Sequence, residues 1–146
     1  MHNKLDFEAR QDIADLFGRY CHRVDGGDGE GWAALFTDDG IFDVPGAIHL
    51  EGHEQLRNMP GIVLQQGAGK WRHQVTNIVA ESGDTPDTAR VRAYGVLSDW
   101  RNSNSNSSGT LVSFSDYHVN LRRLEGEWRI QSLTAIQATE LAPTPR

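Results

Sequence analysis

Apolar residues recur at helical spacing in the first part of the chain and at every second position in the last part. The longest helical stretch is Phe7–Val24, where apolar side chains return every three to four positions. Asp6 precedes it as a candidate N-cap, and a glycine-rich segment beginning at Gly26 ends it. The pattern therefore predicts an amphipathic helix that buries one face.

Shorter elements are predicted between this helix and the region of strict alternation. We expect a second helix over Trp32–Phe36, a turn over Thr37–Gly40 and a short strand over Ile41–Val44. The stretch Gly52–Gln66 is helical in pattern. Pro60 is expected to break or kink it, because proline cannot donate the backbone hydrogen bond of a helix interior.

Beyond Gly69 apolar and polar residues alternate, which is typical of strands. The four predicted strands are Trp71–Ala80, Ala89–Trp100, Thr110–Leu124 and Glu127–Thr139. Short turn-forming segments join the first two and the last two, which favours antiparallel hairpins. Strands this long twist strongly, so the sheet can curl over the helices. The sequence predicts an α+β fold in which a curved antiparallel sheet wraps N-terminal helices around a small-molecule pocket.

Composition places the chain in one domain of 146 residues, with loose tails over 1–5 and 140–146 and a mobile loop at the asparagine- and serine-rich stretch 101–109. The net charge of −6 and the absence of a basic stripe argue against nucleic acid as a partner. No apolar run is long enough for a signal peptide or a membrane span, so we expect a cytoplasmic protein. Cys21 is the only cysteine, which excludes an internal disulfide.

Three residues are the first candidates for chemistry. Tyr20 lies on the apolar face of the first helix, and Asp25 lies at its end. Alternation places His73 on the same sheet face as Trp71 and Val79. Each residue has an ordinary structural explanation as a core aromatic, a helix-end residue or a buried histidine.

Asp25 and His73 gain a further meaning when they are taken together. A buried imidazole needs a hydrogen-bond partner and a buried carboxylate needs a donor, so contact between them satisfies both. The carboxylate would fix the imidazole tautomer and leave the other ring nitrogen free to accept a proton. Histidines 49 and 53 are four residues apart, but no third ligand is evident, and we expect no metal site there.

Four motifs recur in an order that resembles a known family. They are Tyr-x4-Asp at the end of the first helix, a Leu-Phe-Thr-Asp-Asp-Gly turn, a histidine opening the first long strand with Asn77 four residues on, and Asp-Tyr-His-x2-Leu-Arg-Arg-x2-Gly-x-Trp-Arg-Ile near the C-terminus. Together they resemble the SnoaL-like branch of the nuclear-transport-factor-2-like superfamily, over nearly the whole chain.

The resemblance is strongest to the dehydratase and dehydrochlorinase branches, of the scytalone dehydratase, bile-acid 7α-dehydratase and hexachlorocyclohexane dehydrochlorinase type. These enzymes eliminate water or chloride with an Asp/His pair and no cofactor. The resemblance implies that Asp25 and His73 form the catalytic dyad and that Tyr20 contacts the substrate. It also implies a cone-shaped, cystatin-like α+β barrel that assembles into a homo-oligomer, with a trimer favoured and a dimer possible.

Five further residues are candidates for substrate binding, because a small-molecule site needs a few polar groups in an apolar lining. They are Asn77, Tyr94, Asp99, Tyr117 and Arg129. Arg129 alternates with Trp128 and Ile130, so its side chain faces either the pocket or the solvent, and the sequence leaves both open.

Three functions remain open at this stage. The first is a lyase in which His73 removes a proton from a small apolar cyclic or aromatic molecule. The second is an isomerase or cyclase that uses the same residues. The third is a non-catalytic ligand-binding or accessory subunit, such as the small subunit of a ring-hydroxylating oxygenase. Contact between Asp25 and His73 distinguishes the first two from the third.

Overall fold

A computed structural model describes residues 5–101 and 109–140. The first element is helix α1, Phe7–Asp25, as the apolar periodicity predicts. The Asp6 carboxylate accepts a hydrogen bond from the Ala9 backbone N–H at 2.8 Å, which satisfies one of the free donors at the helix start. The N–H of Gly26 donates to the His22 carbonyl at the other end. The predicted N-cap and both predicted ends of this helix are therefore confirmed.

The second helix and the first strand differ from the prediction. Helix α2 is Gly29–Ala33, and strand β1 begins at Phe36 and runs to Val44. The predicted turn over Thr37–Gly40 lies inside β1, where the pairing register shifts between Phe36 and Ile41. The Thr37 hydroxyl donates to the Asp39 carboxylate at 2.9 Å in this stretch. The turn-forming residues build a bulge in a continuous strand and do not end it.

A strand that the sequence analysis missed follows β1. Strand β2, Ile48–Glu51, pairs antiparallel with β1. Helix α3 is Gly52–Leu56 and helix α4 is Met59–Gln66. The helical stretch is therefore interrupted two residues before the predicted break at Pro60. Pro60 lies in the first turn of α4, where its missing N–H has no intrahelical partner to lose.

The four predicted strands of the second half are confirmed, with every boundary within two residues. Strands β3 to β6 are Trp71–Ser82, Thr88–Asp99, Thr110–Leu124 and Glu127–Gln137. A short 3-10 helix, Ala138–Glu140, follows β6.

The six strands form one curved sheet in the order β2-β1-β6-β5-β4-β3. Every neighbouring pair is antiparallel except β1 and β6, which are parallel. The predicted curved antiparallel sheet is confirmed, with β1 and β6 as its one parallel pair among the described strands. Turn residues predict the pairing of consecutive strands only. They give no information about the pairing of β1 with β6, because these strands are far apart in the sequence.

A bulge in β3 changes which side chains face the helices. The register with β4 shifts between Thr76 and Val79, and Asn77 has a φ of 55°. Ala80 is buried beyond the bulge, whereas Val79 is 57% exposed. Val79 therefore does not share the inner face with His73, and the simple alternation fails at this point.

The core lies between α1 and the concave face of the sheet. Its largest fully buried apolar side chains come from all four helices and from strands β1, β4, β5 and β6, and include Phe17, Trp32, Phe36, Leu56 and Leu133. No helix within the described residues combines the length and the apolarity that crossing a bilayer requires.

Candidate active site

Asp25 and His73 are in direct contact. Asp25 is the last residue of α1, and His73 is the third residue of the edge strand β3. The Asp25 Oδ1 atom lies 2.6 Å from His73 Nδ1, and Oδ2 accepts the His73 backbone N–H at 2.8 Å. The carboxylate therefore holds both the ring and the backbone of the histidine. The two side chains are only 10% and 15% exposed.

This contact fixes the chemistry available to the imidazole. Because a carboxylate is an acceptor, Nδ1 carries the proton that it donates to Asp25. In the neutral ring the Nε2 atom then holds a lone pair and can accept a proton. His73 lines a large cavity, and both His73 and Asp25 line an outer cleft behind it. The imidazole thus stands between its carboxylate and the cavity.

The cavity has a volume of about 520 Å³ and lies between α1, α4, β1, β2 and the inner face of the sheet. Most of its walls are apolar, with Phe42, Leu50, Met59, Val63 and Trp71 among them. Among the described residues that line it, none is aspartate, glutamate, lysine or arginine. His73 is therefore the one imidazole among the described residues that line the cavity.

Tyr20 and Tyr117 both line the cavity, and their hydroxyls form a hydrogen bond with each other. Burial raises the pKa of Tyr117 to about 12, and the bond with Tyr20 opposes this rise. Burial also raises the pKa of Tyr20 well above its usual value. Both phenols therefore stay protonated, and the bond between them uses one of their two hydroxyl protons.

Gly95 on β4 makes room for the Tyr117 ring. A Cβ atom at this position would lie 2.2 Å from two ring carbons of Tyr117 and 2.6 Å from its hydroxyl. The phenol therefore lies directly over the glycine backbone. Gly95 pairs with Val75, two residues from His73, so the Tyr117 hydroxyl is held on the part of the sheet that carries the histidine.

Several polar lining residues were missed in the sequence. Ser113 and Ser115 on β5 and Gln137 on β6 face the cavity, and polar side chains of α3, α4 and the loop between them reach its rim: Gln55, Asn58 and Gln66. Alternation on β5 predicts the orientation of both serines, because they share the face of Tyr117. Serine is also common on exposed strand faces, so alternation alone does not identify these two as site residues.

Arg129, a predicted substrate-binding residue, does not line the cavity. Its neighbours Trp128 and Ile130 are buried, and alternation turns Arg129 to the opposite face. There the guanidinium donates to the Ala34 carbonyl at 3.4 Å and to the Glu127 carboxylate at 3.3 Å. It lines a separate groove beside α1 and not the cavity.

The predictions for Asn77, Tyr94 and Asp99 are also wrong about the cavity. Asn77 is exposed at the bulge of β3. Tyr94 packs against Phe114, with ring centroids 5.3 Å apart, and is 40% exposed. The Asp99 carboxylate binds Arg101 at 2.6 Å, and these hydrogen bonds lower its pKa to about 2.

The two histidines that were set aside as metal ligands bind protein groups in separate elements. His49 on β2 lies between two carboxylates, with Nδ1 2.8 Å from Asp43 and Nε2 2.9 Å from Glu51, and these bonds raise its pKa. His53 on α3 donates from Nε2 to the Phe36 carbonyl at 3.0 Å. They therefore do not share a helix face.

Comparison with known proteins identifies similar sequences and folds. The SnoaL-like domain matches residues 6–134, and no curated protein matches. A Mycobacterium tuberculosis protein of unknown function, Rv3472, is 26% identical over 90% of this chain and 77% of the other, with a TM-score of 0.76. A nuclear-transport-factor-2-like protein with a cystatin-like fold from Novosphingobium aromaticivorans is 21% identical over 92% and 85%, with a TM-score of 0.77. A scytalone dehydratase-like protein from the same organism is 14% identical over 92% and 89%, with a TM-score of 0.71.

Proposed function

Because the chain belongs to the SnoaL-like domain family, we propose that its cavity catalyses a cofactor-independent elimination, of the dehydratase type, on a small neutral cyclic molecule. His73 acts as the general base and Asp25 orients it. The observation that carries this proposal is the 2.6 Å bond between Asp25 and His73 at the wall of an apolar cavity. The likeness to a scytalone dehydratase-like protein is in accord with it.

The proton is accepted at Nε2 of His73. When the imidazole gains that proton it becomes a cation, and the adjacent Asp25 carboxylate stabilises the new charge. The same carboxylate binds the His73 backbone N–H, so the ring does not have to be ordered at the moment of reaction. A general base held in this way typically contributes a factor of about 10²–10⁴ to the rate.

Tyr117 supplies the complementary hydrogen bond. Since the bond between the two phenols uses one of their two hydroxyl protons, the other is free to bind an oxygen atom in the cavity, and we place this free proton on Tyr117. We assign it to a substrate carbonyl, where negative charge develops when the neighbouring carbon loses its proton. Tyr20 then acts mainly by holding Tyr117, which refines its predicted role as a direct substrate contact.

The reaction balances without a cofactor. The C–H bond next to the carbonyl breaks and its proton passes to His73. A carbon–carbon double bond forms as the C–O bond at the next carbon breaks, and the imidazolium returns the proton to the departing oxygen, which leaves as water. A cyclic β-hydroxy ketone is the simplest substrate that fits this sequence.

The lining also indicates that the substrate is neutral. An anion transferred into this cavity would lose its hydration and meet no lysine or arginine among the described lining residues. A cation would likewise meet no carboxylate there. We therefore expect an uncharged molecule whose selectivity rests on shape and hydrogen bonds.

Turnover of cyclic β-hydroxy ketones tests the proposal. We expect Asp25→Asn and His73→Gln each to lower kcat by about 10²–10⁴ while the fold remains intact by circular dichroism. The matched controls Asp116→Asn and His118→Gln change the same residue types on the outer face of β5 and should retain wild-type turnover. Wild-type activity in either dyad variant would overturn the assignment.

The other enzymatic function uses the same residues. If His73 returns the proton to another carbon, the product is an isomer, and a cyclisation also conserves mass, whereas elimination removes a water molecule. Mass spectrometry of the product therefore separates these reactions. A non-catalytic accessory role does not require the Asp25–His73 contact, so that geometry favours the enzyme. The homo-oligomer stays a prediction, and sedimentation equilibrium measures it directly.

A further inference from the structure

Three polar side chains of the inner wall take no part in the proposed proton transfer. They are Ser113 and Ser115 on β5 and Gln137 on β6, and all three line the cavity. We propose that they form a second polar subsite that selects neutral substrates with another hydroxyl or carbonyl oxygen, remote from the reacting carbon. This inference rests on the proposed function and adds to it the class of substrate.

Sheet pairing places the three side chains together. Ser115 pairs with Gln137 on one side and with Gly95 on the other. Because Gly95 has no side chain, the Tyr117 ring packs over it and brings the Tyr117 hydroxyl to that side of Ser115. Ser113 lies two residues earlier on the same face. The three polar groups therefore form one patch, which we call the β5 subsite.

The β5 subsite is separated from the dyad by a distance that a bicyclic molecule can span. His73 pairs with Leu97, and Leu97 pairs with Ser113, so two strand spacings, about 9.6 Å, separate the Cα atoms of His73 and Ser113. Along β5, Ser115 and Tyr117 are two residues apart, about 7 Å. A substrate that reacts beside His73 and Tyr117 can thus place a second oxygen at Ser113 or Ser115.

The Ser115 hydroxyl gives the β5 subsite a group that can bind an oxygen. Ser115 lines the cavity, and its hydroxyl makes no hydrogen bond to another side chain or backbone group within residues 5–101 and 109–140. A hydroxyl that faces an apolar cavity without a protein partner can both donate to and accept from a ligand oxygen. Gln137 is exposed at the rim, next to Ser115, and adds both a donor and an acceptor.

The chemistry of these groups defines the ligand. Serine and glutamine donate and accept hydrogen bonds without charge, so they recognise a hydroxyl or a carbonyl and offer no counter-charge to an anion. Combined with the apolar walls, they favour a rigid bicyclic compound with one oxygen at each end. A compound with a single oxygen would leave either Tyr117 or the β5 subsite unpartnered.

Calorimetric titration with two probes tests this inference. The probes are 2-naphthol, with one hydroxyl, and 2,6-dihydroxynaphthalene, with hydroxyls at opposite ends. For the wild-type protein we expect about fivefold to tenfold tighter binding of the diol, the value of one additional hydrogen bond. The double variant Ser115→Ala/Gln137→Leu should bind 2-naphthol as the wild type does and lose the preference for the diol.

Matched controls isolate the β5 subsite from general effects of mutation. Gln131→Leu and Ser132→Ala change the same residue types on β6, outside the cavity, and should retain the preference. Any of three results would overturn the inference. The wild-type protein could fail to bind either probe, it could bind both equally, or the preference for the diol could persist in the double variant. His73→Gln should retain the preference, so failure of the subsite is distinguishable from failure of the proposed base.

Discussion

Replacing Gly95 by alanine tests how the tyrosine pair is held over the sheet. The added Cβ would lie 2.2 Å from two ring carbons of Tyr117, well inside van der Waals contact. Gly95 and Tyr117 are both buried. The Tyr117 ring must therefore move by more than 1 Å or the two strands must separate. Movement of the ring also breaks its hydrogen bond with Tyr20.

The expected cost follows from these two effects. Overpacking of a core position costs about 1–3 kcal/mol. A buried hydroxyl that loses its partner costs about another 1–3 kcal/mol. We therefore expect Gly95→Ala to lower the free energy of unfolding by about 2–6 kcal/mol. Turnover should also fall, because the Tyr117 hydroxyl leaves its position.

Urea unfolding measures the stability change, with an unchanged m-value as the sign that the folded state remains compact. Gly18→Ala is the matched control. Gly18 is an exposed residue in the middle of α1, and a Cβ there meets nothing within 4 Å. It should stabilise the protein by up to about 1 kcal/mol, because alanine is the better helix former.

A double-mutant cycle identifies Tyr117 as the cause. Tyr117→Val removes the ring atoms that the new Cβ would meet, so in that background Gly95→Ala should cost less than about 1 kcal/mol. An equal cost in both backgrounds would refute the reasoning, since the penalty would then arise from the strand and not from the ring.

Two further predictions concern groups whose pKa is raised by desolvation. Cys21 is half-buried, and desolvation raises the pKa of its thiol to about 12, so roughly 10⁻⁴ of it is thiolate at pH 8. Native protein should therefore react very slowly with Ellman's reagent and rapidly in urea, and fast native labelling would contradict the raised pKa. The folded-state pKa of Tyr117 is about 12, which exceeds the ordinary value of 10. As the pH rises, the unfolded chain therefore loses this proton before the folded chain does. The contribution of Tyr117 to the free energy of unfolding is complete below pH 10 and is lost between pH 10 and 12. In alkaline absorbance titration, no more than one of the three tyrosines should ionise before the protein unfolds, and two phenolates in folded protein would be the contrary result.

Local patterns predicted most of the fold. The caps and apolar spacing of α1 and the alternation of the four long strands are properties of neighbouring residues, and these elements have the expected boundaries. The contact between Asp25 and His73 was also predictable, because one residue lies at a helix end and the other at a strand start, and local patterns determine both positions. Asp25 and His73 accordingly meet although 48 positions separate them.

The errors arose where long-range pairing overrides the local signal. Strand β1 continues through turn-forming residues because β6 pairs with it on both sides of the bulge. The bulge at Asn77 shifts the alternation of β3 by one residue, so Val79 points outward and is exposed. Arg129 was ambiguous by alternation alone, and only the burial of Trp128 and Ile130 decides its direction.

The central claim is that His73 removes a proton from carbon, and an isotope effect tests it most directly. The substrate is a converted cyclic β-hydroxy ketone with deuterium at the carbon next to the carbonyl. The account predicts that the wild-type protein converts the labelled compound several-fold more slowly than the unlabelled one and releases the label into water, and that His73→Gln abolishes this release. Equal rates for both compounds, together with undiminished label release by His73→Gln, would contradict it.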